Sequence, residues 1–288
     1  MKYNSGKEFL DSTQKRILLM GLSGVGKTTI ARMLPKDQWF HYSVDYRLWT
    51  HHLNDQLNDY LKSLAFKEPT LRELLLKDSI SVEHRVQFDN LYATSVYMGM
   101  LGNPELGGTS LSDFTDRMLQ HSQAEINSML DIPRFIKRAK DLYDYPHFLI
   151  DASGSLCEII VLNDYSDKVI RTIDDNCLII YIEAIKQHES ELIRRAISDP
   201  KPIYYREDFV KKVIPGLLNQ MKAEDIAEID PKKVGAYIYP RLLEHRIPRY
   251  KQIADSFGYT VSMTDVMKVK KYEDFLQLIA NTIDLNNF

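Results

Sequence analysis

The stretch with the most chemistry in it is GLSGVGKTT, Gly21–Thr29, in which three glycines, a lysine and two threonines stand between the apolar run RILLM and the amphipathic run IARML. Its spacing is G-x-x-x-x-G-K-[ST], and each residue type has a task there. The glycines let the chain turn so that the backbone N–H groups of Gly21, Ser23, Gly24, Val25 and Gly26 form a nest for phosphate oxygens, and the helix that follows adds its positive N-terminal dipole. Lys27 supplies a point charge for the β- and γ-phosphates and the Thr28 hydroxyl a ligand for Mg²⁺, while Thr29 falls close to the α-phosphate. Average residue usage gives on the order of 0.01 such matches in a chain this long. Chance is therefore a poor explanation, and the plain alternative is a glycine-rich turn that binds nothing.

Two carboxylates complete the set. The run WFHYSV ends in Asp45-Tyr46-Arg47, which puts Asp45 and Arg47 at the carboxyl edge of a strand, where open α/β folds bind ligands. The run HFLI ends in Asp151, beside the phosphate loop, where a carboxylate can hold Mg²⁺ through water. A carboxylate after an apolar run is costly to desolvate without a partner, and a metal is one such partner. The competing role is helix capping, by Asp151 or Ser153 and, separately, by Asp45.

These residues need elements to hold them. Five short runs rich in β-formers are predicted as strands: Arg16–Met20, Trp39–Val44, His147–Ile150, Cys177–Ile182 and Tyr259–Met263. Helical patterns separate them, which predicts an α/β fold, a P-loop NTPase with a five-stranded parallel sheet flanked by helices. The spacing is uneven. From Tyr46 to Pro146 runs a segment of about 100 residues, too long for one crossover, so a helical insertion is expected there. Within it Leu53, Leu57, Tyr60, Leu61 and Leu64 recur at helical spacing, and Ser110 with Asp113 forms a capping box. A second long segment, Ala184 to Gly258, is expected to build a lid and acceptor pocket. The expected organisation is one domain over 1–288 carrying an insertion at 46–146 and the lid segment at 184–258.

Composition narrows the classes. A net charge of -3 over 288 residues offers no basic footprint, so nucleic acid is not an expected partner. Cys157 and Cys177 lack metal-ligand spacing and sit in apolar runs, as buried free thiols do, and a cytoplasmic setting is expected. The N-terminal stretch has no signal-peptide core, and no apolar run reaches membrane-spanning length.

With GLSGVGKTT, Asp45, Ser153-Gly154-Ser155, RRAISDPKP and HRIPRYKQIAD in hand, the chain resembles the shikimate kinase branch of the P-loop kinases, related to nucleoside monophosphate kinases. It is also similar to bacterial P-loop ATPases. The kinase resemblance implies that Asp45 contacts the acceptor, that Gly154 lines the acceptor site, and that Arg194 or Arg195 reaches the nucleotide from a lid. It implies further that Lys201 stands where an arginine before proline is usual, and that Arg246 grips an acceptor carboxylate. The pattern is departed from at Ser43, which replaces an acid, in the SGS turn, which keeps one glycine of three, and in the length of both insertions.

The expected activity is an ATP- and Mg²⁺-dependent kinase acting on a small molecule. Loop amides and Lys27 hold the phosphates, Thr28 and Asp151 hold Mg²⁺, Arg194 and Arg195 cover the transferring group, and Asp45 orients or deprotonates the acceptor hydroxyl. An ATP-driven switch whose insertion binds a protein is the first alternative, and a kinase toxin acting on a sugar nucleotide is another. ATP is preferred to GTP because no N-K-x-D follows a late strand. His121 and Glu125 share a helix face at i,i+4, read here as a solvated surface in preference to a metal site. Arg194-Arg195 also fits an exposed charged face.

Overall fold

A computed structural model of the chain describes residues 2–88, 90–200 and 202–286. Its core is a parallel sheet of five strands: β1 (Arg16–Met20), β2 (Trp39–Ser43), β3 (His147–Asp151), β4 (Leu178–Glu183) and β5 (Gly258–Ser262), in the order β2-β3-β1-β4-β5. Strands covered on both faces should be apolar throughout, and Ile17, Leu18, Leu19 and Met20 of the central strand are all fully buried. The register brings Leu19 level with Asp151 and Ile180, and Ser43 level with Asp151, so the carboxyl ends of β1, β2 and β3 finish together.

The connection leaving β1 runs to the β2 edge, whereas those leaving β3 and β4 run toward the β5 edge. The carboxyl end of β1 is therefore a topological switch point, where open parallel sheets leave a crevice for ligands. Flanking helices bury one stripe each: Val169, Ile170 and Ile173 in Lys168–Asn176, and Phe275, Ile279, Ala280 and Ile283 in Tyr272–Asn286. Cys157 and Cys177 are both buried and free, as expected.

The chain divides into two compact units. The sheet belongs to the first, formed by Met1–Val44, Glu125–Pro200 and Ala236–Phe288, and the second combines Asp45–Ala124 with Lys201–Gly235. Two stretches that the sequence treats as separate insertions thus share one core, and the part of the first insertion from Glu125 onward belongs with the sheet. The second unit is helical, with Trp49, Leu53, Leu57, Tyr97, Phe114 and Met118 buried beside Tyr204, Tyr205 and Phe209. Aromatic rings knit its two stretches together, His121 stacking on Tyr204 at 4.6 Å and Phe114 lying 5.4 Å from Tyr205. His121 is thus a core residue and not a solvated one. One half of the capping box is present as well, Ser110 Oγ accepting from the Asp113 N–H at 3.1 Å. No helix among the described residues is long and apolar enough to cross a membrane.

Candidate functional site

The loop between β1 and the Lys27–Met33 helix takes its shape from its glycines. Gly21, Gly24 and Gly26 have φ of +144°, +77° and +106°, a region that side chains disfavour. Space is short as well, since a Cβ on Gly21 would lie 2.7 Å from the Ile182 carbonyl oxygen. Leu22, Val25 and Ile30 anchor the loop in the core, while Ser23, Gly24, Thr28 and Thr29 face solvent. An open backbone surface on a buried footing results.

Lys27 is 8% exposed and folds back over this loop, its Nζ donating to the carbonyls of Gly21 and Leu22 at 3.0 Å each. Those two oxygens offset part of the cost of burying an ammonium and hold the charge at the loop. Thr28 Oγ1 donates to Asp151 Oδ2 at 2.8 Å, and His41 Nε2 lies 3.8 Å from the same oxygen. Asp151 therefore faces the Gly21–Thr29 loop and caps no helix. The short Leu156–Ile159 helix that follows has Ser155 at its N-cap, without a side-chain cap bond. Among the described residues no group of three or more His, Cys, Asp or Glu side chains stands together as a metal cage. The Thr28–Asp151 pair suits Mg²⁺, which takes one or two protein oxygens and completes its shell with waters and phosphate.

The turn after β3 is held differently. Ser153 Oγ and Ser155 Oγ both donate to the fully buried Glu125 carboxylate, the latter at 2.8 Å, so Ser153 spends its hydroxyl there and not on a helix cap. From the Pro231–Phe257 helix, Arg246 Nε donates to Glu158 Oε1 at 2.8 Å and its Nη1 to the Gly154 carbonyl at 3.0 Å. His245 Nε2 lies 3.2 Å from Glu158 Oε2, and Arg249 donates to the carbonyls of Cys157 and Ile160 at 3.0 and 2.9 Å. Burial pushes the Glu158 carboxyl up, but His245 and Arg246 outweigh it and hold it at about 2. Burial likewise opposes the Arg246 charge, and Glu158 more than restores it. Burial, against the opposing Arg246 charge and with some help from the Glu158 carboxylate, pushes the Cys157 thiol up to about 12, which leaves it inert.

Several expected site residues stand elsewhere. Arg246 is 6% exposed and committed to Glu158 and Gly154, so its guanidinium holds a turn of this chain where the resemblance implied an acceptor carboxylate. Arg194 and Arg195 lie on the exposed face of the Lys186–Ser198 helix, and both pair with Glu191, at 2.8 and 2.7 Å. Those arginines hold the Glu191 carboxyl at about 2. Asp45 and Arg47 are half-buried in the short Val44–Arg47 helix that begins directly after β2, within the second unit. Lys201 lies outside the described residues. Gly154 does adjoin the Gly21–Thr29 loop, since a Cβ built on it would lie 3.6 Å from the Ser23 nitrogen.

Sequence reasoning missed three groups. His188 Nε2 donates to the Ser23 carbonyl at 3.1 Å, a contact across 165 residues that no local spacing encodes. From the sequence Glu125 reads only as one half of an i,i+4 pair with His121 on a solvated face, whereas it is 0% exposed. Glu158 carried a usable signal, since a lone acid in the apolar run LCEIIVL is either buried with a partner or out of place. Protein-family models give no match to this chain, and neither do curated proteins.

Proposed function

We propose that the chain binds ATP with Mg²⁺ at the Gly21–Thr28 loop and transfers the terminal phosphoryl group to a small-molecule acceptor. The reading rests on one observation above the others: the Thr28 hydroxyl meets Asp151, a residue 123 positions away, beside a loop whose three glycines have positive φ. A structural turn has no need of that long-range oxygen pair; a phosphate loop with its metal edge does. Mg²⁺ bound with the nucleotide would supply charge neutralisation for the phosphate oxygens.

The residues divide the remaining work. Backbone N–H groups of the loop and the Lys27 ammonium hold the phosphates, and Thr28 and Asp151 offer the metal its protein oxygens. Asp45, just past the end of β2, is the proposed base for the acceptor hydroxyl. Arg195 reaches a transferring group only by exchanging Glu191 for phosphate, a swap one exposed cation can make. A second reading, an ATP-driven switch that docks a protein, draws support from the Pro69–Leu76 helix, which buries none of its residues and exposes Leu71 and Leu76.

A phosphoryl-transfer screen separates the two. Protein incubated with γ-labelled ATP and panels of sugars, hydroxy acids, nucleosides and nucleotides should label one acceptor class, with little phosphate released in its absence. Steady acceptor-independent hydrolysis, unchanged in Asp45→Asn, would contradict the kinase and favour the switch.

A further inference from the structure

The peptide bond between Ser23 and Gly24 lies on the open side of the loop after β1, with both residues exposed and Gly24 at a φ of +77°. A peptide plane next to a glycine turns at low cost, so the glycines that shape the loop do not by themselves fix which way this N–H points. One distant group does. β4 ends at Glu183, and the Lys186–Ser198 helix that follows carries His188 in its first turn, the His188 N–H bonded to the Ile185 carbonyl at 2.9 Å. From there the imidazole lies against Gly24, where a Cβ would stand 3.2 Å from Cε1, and Nε2 donates to the Ser23 carbonyl at 3.1 Å. The peptide is planar and trans, so a carbonyl held toward His188 turns the Gly24 N–H to the opposite side. No group among the described residues accepts a hydrogen bond from the N–H of Ser23, Gly24 or Gly26. The fold leaves these donors to solvent or to a ligand.

We propose that His188 is a positioning residue for phosphate binding: its bond to the Ser23 carbonyl sets the Ser23–Gly24 peptide so that the Gly24 N–H faces the phosphates, without His188 touching them. The inference rests on the nucleotide reading above. It also gives the close packing at Gly24 a purpose, since a side chain there would press on the ring. Mg-ATP and Mg-ADP should depend on the contact alike, because both carry the α- and β-phosphates that amides of such a loop cradle.

Calorimetric titration with Mg-ATP and Mg-ADP of wild type, His188→Leu and His188→Gln tests this. Leucine fills similar space but donates nothing, whereas the glutamine amide can bring a donor to the place of Nε2. Both nucleotides should bind about tenfold more weakly to His188→Leu and within about threefold of wild type to His188→Gln. Melting temperatures of the unliganded proteins should agree, because a half-exposed contact of this kind contributes little to the fold. The Gly24 amide resonance should broaden through conformational exchange in His188→Leu and stay sharp in wild type and His188→Gln.

Wild-type affinity in His188→Leu overturns the proposal, as do equal losses in the two variants, which would make the bulk of the ring and not its donated hydrogen bond responsible. A melting temperature lowered in His188→Leu in step with its affinity overturns it as well, by making the contact structural. Wild type binding neither nucleotide would remove the phosphate-loop reading and this inference with it. Variants that bind like wild type remove only the role of His188 and leave that reading standing.

Discussion

Two loops leave neighbouring strands of one sheet and are held in shape by opposite means. The loop after β1 is fixed by its own composition: three glycines at positive φ, apolar anchors at Leu22 and Val25, and a lysine that bonds carbonyls five and six residues back. The turn after β3 is fixed by others, with Glu125 on one side and His245, Arg246 and Arg249 on the other. Local conformation suits a surface that must stay open to a ligand. Buried charge suits a backbone that must stay still beside it. The first arrangement is written in nine consecutive residues, and the second only in the folded molecule.

The sharpest break in that comparison comes from separating the buried pair. Glu158→Leu alone leaves Arg246 desolvated without its carboxylate and should cost about 3–5 kcal/mol, whereas the double variant Glu158→Leu/Arg246→Met should recover most of it. Urea unfolding of the three proteins checks this. Equal losses in single and double variants would mean that packing, and not charge, holds the turn.

Acid should loosen the second loop through Glu158. The Glu158 carboxyl is held at about 2 against an ordinary 4.5, so its contribution is fully present above pH of about 4.5 and is lost as pH falls through about 2. A shift of that size is worth at most about 3 kcal/mol. Glu158→Gln should flatten this part of the stability profile between pH 5 and pH 2 if the pair accounts for it, and an unchanged slope would point to other carboxylates.

A smaller effect is expected in the glycine-built loop. Gly21→Ala places a Cβ at positive φ and 2.7 Å from the Ile182 carbonyl oxygen, a strain of about 1–3 kcal/mol. Thermal unfolding should register that loss together with weaker Mg-ATP binding; an alanine that costs nothing in both would show that the loop shape is not required. The smallest effect belongs to the exposed trio. Removing Glu191 should leave the melting temperature unchanged, because the Arg194 and Arg195 pairs lie on an exposed helix face. A clear drop would mean that these arginines are structural.

The contrast also explains what could be read in advance. β1 was legible to the residue, and β3, β4 and β5 to within one, because short runs rich in β-formers flanked by helical patterns leave little choice. β4 begins at Leu178 and not Cys177 because Cys177 ends the preceding helix, its N–H bonded to the Ile173 carbonyl at 2.8 Å. The glycine-built turn between β1 and the Lys27–Met33 helix was legible as a whole. The joining of 45–124 with 201–235 was not, since the stacking of His121 on Tyr204 depends on chain segments 83 positions apart in the numbering. Arg246 shows the same limit at the scale of one residue: HRIPRY fits a family pattern, yet the partner that decides its role, Glu158, is 88 positions away. Periodicity tells which face a residue shares, as for His121 and Glu125, and not what covers that face.

The most direct measurement is calorimetric titration of the wild-type chain and Lys27→Ala with Mg-ATP. Saturable one-site binding is expected for wild type, weakened by about 2 kcal/mol or more when the ammonium is removed from the loop. No binding by wild type, or equal affinity in the two proteins, would contradict the assignment of Gly21–Thr28 as a nucleotide phosphate site.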